Sequence, residues 1–169
     1  NLEAATALIE PLDLIFLSLD DYLDVPVGEF ASTSYGPTSL SSFNTQLHLT
    51  YAMAYPDVDR QHHLDRAQAI LSTIHEVAWS EEMGAYLFAP GDDRLMLYPN
   101  ITMMLAYTRA YQLMEEPIYM ERFWDIYGGI QPLKNDSGDH YHSPYSAESM
   151  GALDEDYSTL SSQNYLILA

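Results

Sequence analysis

Carboxylates crowd the stretches of this chain that carry no helical pattern. Glu29 lies between Asp24 and Phe43, and Glu81, Glu82, Asp92 and Asp93 lie between Ala78 and Pro99. Asp136, Asp139, Glu148, Asp154, Glu155 and Asp156 fall between Gly128 and Gln163. Cleaving a glycosidic bond takes two carboxyl groups facing one sugar, one protonated and one ionised. Glu81, Glu82 and Asp92 are the candidates for that work, and Trp79, Tyr86 and Tyr98 in the same stretch are aromatic rings that suit sugar stacking or a protein interface. The spacing assigns no pair, and any one of these carboxylates is also what a solvated loop of an acidic chain contains.

A second cluster, Asn135-Asp136-Ser137-Gly138-Asp139-His140-Tyr141-His142, spaces oxygen side chains around a glycine, as the opening of a calcium loop does. Asp136 and Asp139 would be the calcium ligands. The closing glutamate at the twelfth place is missing, so a plain Asx-rich turn accounts for the same residues. His140 and His142 form a His-x-His pair with no identifiable third ligand. A third set is Asn44, Asn100 and Asn164, each heading an apolar stretch. Asparagine is among the best helix N-caps. Amides at the starts of several helices could instead bind substrate hydroxyls or anionic groups. Tyr51, Tyr55, Tyr107 and Tyr111 sit at helical spacing and read as core, while His62, His63 and His75 read as structural or exposed. Gly-rich phosphate loops, Gly-x-Ser-x-Gly and His-Glu-x-x-His are absent from the sequence.

Charge narrows the partners. Acidic residues number 25 against 6 basic ones, a formal net charge of −19. Such a chain repels phosphate backbones and anionic lipid, which excludes nucleic acid as a partner. The acidity suits a salty, extracellular or periplasmic setting, and it could attract cations such as calcium. The absence of cysteine excludes disulfides and thiolate metal sites. No apolar run approaches the roughly 18 residues of a membrane span. With 47% hydrophobic residues in 169, the chain reads as a single globular domain, residues 1–169.

The elements that must position these groups repeat. Laid on Asn100 without a gap, Asn44 starts a register in which Leu47 meets Met103, Tyr51 meets Tyr107 and Tyr55 meets Tyr111. Further along, Asp65 meets Glu121, Arg66 meets Arg122, Ile70 meets Ile126 and Ile74 meets Ile130. Each copy of about 56 residues reads as two helices. The first helices, Asn44 to about Tyr55 and Asn100 to about Met114, are apolar nearly all round, the mark of a buried helix. The second, about His62 to Val77 and Pro117 to Tyr127, are amphipathic, with Leu64, Ala67, Ile70, Leu71 and Ile74 on one face. Leu2 to Tyr22 reads as the outer helix of a preceding hairpin, and Ser161-Ser162-Gln163-Asn164 opens a third copy. Inner-to-outer links are short and outer-to-inner links are long. All the long links therefore lie on one face, and long unpatterned links are where function concentrates.

This arrangement resembles the (α/α) toroid of the six-hairpin glycosidase-like superfamily. The phrase Trp79-Ser80-Glu81-Glu82-Met83-Gly84-Ala85-Tyr86-Leu87-Phe88 is similar to the Trp-Asp-x-x-x-Gly-Gly-Tyr/Phe stretch of sugar epimerases in that group. Ser80 stands where Asp is common, and Ala85 where a second Gly is common. The resemblance implies an all-α, partial (α/α) toroid and carbohydrate-active chemistry of hydrolase, lyase or epimerase type at the N-terminal ends of the inner helices. Six such hairpins come to about 340 residues, so the resemblance also implies a missing half of the ring, self-association, or an open array. The alternative is a non-catalytic helical module that binds a protein partner or its own copies.

Overall fold

The computed structural model describes residues 36–134 and 141, with the backbone pairing of residues 145–146 and 151–152. Among these residues four helices form two hairpins: α1 (Pro37–Ala54), α2 (Arg60–Ala78), α3 (Leu97–Met114) and α4 (Pro117–Gly129). The inner helices α1 and α3 lie side by side, α2 packs on α1, and α4 packs on α3. Gln46 Nε2 reaches across the inner pair to the carbonyl of Thr102, its counterpart in the next copy, at 3.3 Å. The fold is all-α, and the repeat inferred from the sequence is a repeat of hairpins.

The helix boundaries follow local chemistry. Proline begins α1 and α4, where its missing N–H is one that no intrahelical bond would use. Tyr55–Asp59 links α1 to α2, with Asp59 in the left-handed region at φ 51°. Glu115, at φ 58°, ends α3 and leads straight to Pro117. Both inner-to-outer links are therefore short, as expected.

The start of α1 departs from the sequence reading. The helix begins at Pro37, well before Asn44, and α3 begins at Leu97 after Met96. Asn44 and Asn100 are inside their helices and are not N-caps. The run Thr38-Ser39-Leu40-Ser41-Ser42 has a loop's composition, because such side chains compete for backbone partners. Here they satisfy themselves within the helix: Ser42 Oγ donates to the Ser39 carbonyl at 3.1 Å and Thr45 Oγ1 to that of Ser41 at 2.9 Å. Their small size lets α1 bury this face, and Thr38 ties it to the following link by donating to the Leu87 carbonyl at 2.7 Å.

The core is continuous across both hairpins. Leu49, Leu64, Leu71, Ile74, Leu97, Ile101, Met103, Met104 and Ile126 are buried in it. Tyr51 and Tyr107 are buried as expected, Tyr55 is half-buried and Tyr111 is exposed. His63 is buried too: its Nδ1 lies 2.9 Å from His48 Nδ1, joining α1 to α2.

The long link from α2 to α3 is folded, which periodicity did not foresee. Trp79–Ser80 (β1) pairs antiparallel with Ala85–Tyr86 (β2). Arg94–Leu95 (β3) pairs with Tyr145–Ser146 (β4), which pairs with Gly151–Ala152 (β5). Successive long links thus meet each other on one face. The turn of β1–β2 closes at Gly84, in the left-handed region at φ 62°, and seats on the last turn of α4. A Cβ at Gly129 would overlap the carbonyl oxygens of Gly84 and Met83, whereas one at Gly128 meets nothing within 4 Å. Gly129→Ala is therefore expected to cost about 1–3 kcal/mol, and Gly128→Ala to be neutral or stabilising by about 0.4–1 kcal/mol. Urea denaturation of the two variants measures the contrast, and equal effects would contradict the seating.

Candidate functional site

Positioning begins with Asn100. Its Oδ1 accepts from the Tyr86 N–H at 2.8 Å, and its Nδ2 donates to the Tyr86 carbonyl at 2.8 Å and to the Met96 carbonyl at 2.9 Å. Both backbone groups of Tyr86 are thus held by one buried amide at the start of α3. The ring of Tyr86 is 0% exposed, so this tyrosine is core and not a stacking surface. Its hydroxyl lies 2.5 Å from that of Tyr107 and 3.1 Å from His75 Nδ1.

Burial sets the protonation of this chain of groups. It pushes the Tyr86 phenol far up, with Tyr107 adding to the effect, and raises Tyr107 to about 12 against the hydrogen bond from Tyr86. Desolvation lowers the pKa of His75, and the Arg122 guanidinium lowers it further. Glu81, Asp125 and Glu76 oppose that shift. His75 is therefore neutral under ordinary conditions.

Those same neighbours outline a groove on the long-link face. A cavity of about 420 Å³ lies between the β1–β2 turn and the C-terminal half of α4, and its walls include Trp79, Glu81, Arg122, Trp124 and Asp125. Arg122 sits 5.3 Å from the centre of the Trp79 ring and 3.3 Å from Asp125 Oδ2. Trp124 is 60% exposed and packs edge-on to Phe123 and Tyr127. The Trp79 ring lies tilted against His75, with centroids 4.9 Å apart, and its buried indole N–H has no partner among the described residues. The groove presents two carboxylates, one guanidinium and two indoles.

The structure places the other sequence candidates apart from it. Glu82 is exposed on the turn beside Glu81. Asp92 is held by Arg94, which donates from Nε at 2.9 and 3.0 Å, from Nη2 at 2.5 Å and from its backbone N–H at 2.9 Å. That carboxylate is spent on closing its own loop, and the guanidinium stacks on Phe88. Tyr98 is half-buried, edge-on to Phe43. Asn44 is buried with its Oδ1 unpartnered among the described residues. Asn164, Asp136 and Asp139 lie outside the described residues. Among the described residues no three His, Asp or Glu side chains are grouped to hold a metal, and no helix is long and apolar enough to cross a membrane.

Sequence reading missed Arg122, Trp124, Asp125 and His75. Arg122 was visible as the partner of Arg66 in the repeat, but a register match does not say which way a side chain points. Asp125 and Trp124 look like an ordinary polar helix face until the β1–β2 turn is laid against it.

The chain is similar to a crystal structure of D-mannose isomerase, with a TM-score of 0.59 and 11% sequence identity. The likeness is one of fold. It covers 74% of this chain and 34% of that protein, so the chain spans about a third of that protein's length. No family model matches the chain, and no curated protein matches it. The described residues are thus repeated antiparallel helical hairpins with the fold of part of an (α/α) toroid.

Removing the clamp should show in stability. Asn100→Ala leaves the buried Tyr86 N–H unpaired and is expected to cost about 1–3 kcal/mol or more by urea denaturation, with loss of the near-ultraviolet signal of Trp79 and Tyr86. Acid should act through His75. The unfolded chain takes up this proton near pH 6.5 and the folded chain only at lower pH. The contribution is therefore whole above pH 6.5 and is lost as pH falls through the folded value. Melting temperatures from pH 7.5 to 5 should drop more for the wild type than for His75→Gln. Parallel curves would remove His75 from the account.

Proposed function

We propose that this chain is part of a carbohydrate-active toroid protein, of isomerase, epimerase, lyase or hydrolase type, with its ligand site in the groove of Trp79, Glu81, Arg122, Trp124 and Asp125. The observation that carries this reading is that groove, where two indoles and two carboxylates share a cavity on the long-link face. Indole rings suit the apolar face of a sugar ring. Carboxylates and a guanidinium suit its hydroxyls as acceptors and donors. The solved structure of like fold is described as D-mannose isomerase, which agrees with a sugar as ligand. Fold alone does not decide a reaction.

Glu81 and Asp125 are the proposed acid and base, with Arg122 paired to Asp125. Loss of either carboxylate should lower turnover by about 100-fold or more, the scale of a general acid or base, and leave binding within a few-fold. Trp124→Ala should weaken binding about 10-fold or more. The measurement is tryptophan fluorescence titration with D-mannose, D-glucose and their oligosaccharides, beside product analysis by NMR. A chain that binds none of them, or binds equally well without Trp124, does not fit the proposal.

The exposed Ile118, Trp124 and Tyr127 on α4 favour a second reading, a non-catalytic module whose outer helix binds a protein partner or another copy. It predicts concentration-dependent association in light scattering that Trp124→Ala abolishes.

A further inference from the structure

A second cavity, of about 210 Å³, lies on the outer wall between α2 and α4. Its floor is the far side of the tyrosine network. His75 and Tyr107 both line it, and Tyr86, wholly buried, joins them behind the wall. Gln68 and Ser72 from α2, Glu116 just before α4 and Arg122 at the middle of α4 complete the polar rim. Leu71, Ile118 and Tyr119 supply an apolar side.

We propose that this cleft is a second ligand site, separate from the long-link groove, that takes one neutral polyol ring of monosaccharide size. Three features select that class. The volume is below the roughly 300–1,000 Å³ of drug-sized pockets, which fits a single ring and not a chain. The rim carries one carboxylate and one guanidinium, whose charges offset each other and favour a ligand without net charge, and the net charge of −19 turns anions away. The remaining groups are hydroxyls, an amide and an imidazole, which both donate and accept, as a ligand hydroxyl does. Leu71, Ile118 and the edge of the largely buried Tyr119 side chain leave an apolar wall for the apolar side of such a ligand.

The network gives the cleft an acid limit. Neutral His75 has one donor and one acceptor nitrogen, so it can engage the Tyr86 hydroxyl on one side and the ligand on the other. The groups facing it are Tyr86 from β2, Tyr107 from α3, Arg122 and Asp125 from α4, Glu81 from the β1–β2 turn and Glu76 from its own helix. Protonation makes both nitrogens donors and sets a second cation beside Arg122. Binding in the cleft therefore weakens as pH falls through the lowered pKa of His75.

The test is methyl and indole NMR of the wild-type chain titrated with D-mannose, D-glucose and myo-inositol. Shifts at Leu71 and Ile118 that saturate at pH 7.5, and weaken several-fold over the pH range in which the His75 imidazole signal itself titrates, are the expected result. Ser72→Trp, at an exposed position on α2, should abolish those shifts and leave any shift at the Trp124 indole intact. Shifts confined to Trp124, no shifts with any of the three, or cleft shifts unchanged by Ser72→Trp would overturn the proposal. Cleft shifts without Trp124 shifts would instead uphold it and count against the groove as the sugar site.

Discussion

The amide of Asn100 reaches three backbone groups and through them decides where the rest of the site can be. Because it holds the N–H and carbonyl of Tyr86, strand β2 is fixed to the first turn of an inner helix. With the backbone fixed, the Tyr86 ring can only enter the core, where its hydroxyl meets Tyr107 and His75. The paired strand then carries Trp79 and Glu81 over the end of α4, and the Gly84 turn comes to rest on Gly129. An inner helix, a link and an outer helix are thus registered by one side chain. A buried amide with its bonds made is a strong constraint, since breaking any of them strands a polar group away from water.

Electrostatics follows from that placement. In a chain with 25 acidic and 6 basic residues, the location of each cation matters more than that of each carboxylate. Arg94 closes its own loop on Asp92. Arg122 stands at the wall shared by the groove and the cleft, beside Trp79, Asp125 and His75. It lets carboxylates gather on this face and helps keep the imidazole neutral, so that His75 bonds as a neutral donor and acceptor.

Much of the fold was legible because helices have a period. The apolar rows of α2 and the all-round apolar character of α3 gave their positions to within a few residues, and Pro117 marked the start of α4. The start of α1 was not legible, since Thr38 to Ser42 look like a loop until one sees that their hydroxyls bond within the helix. The β1–β2 hairpin was too short for a period of two to register. The site was legible in part: Trp79 and Glu81 were found from the link that carries them. Tyr86 was misread as a stacking surface because nothing in its neighbours says that an asparagine fourteen positions on will bury it. Arg122 and Asp125 belong to the groove only through a contact between segments far apart in sequence.

The pairing of β3 with β4 has a consequence for how such chains can be recombined. Among the described residues the α2–α3 link is completed by the segment after α4, so on the face that carries the site these two overlap like tiles. A helical hairpin cut out at its long links would leave a bare strand edge on each neighbour. The natural cassette instead runs from one short turn to the next, from Tyr55–Asp59 to Glu115–Glu116, with an outer helix, a link and an inner helix between. Grafts and deletions joined at those tight turns would keep every link whole, and the architecture could then be lengthened or shortened one tile at a time.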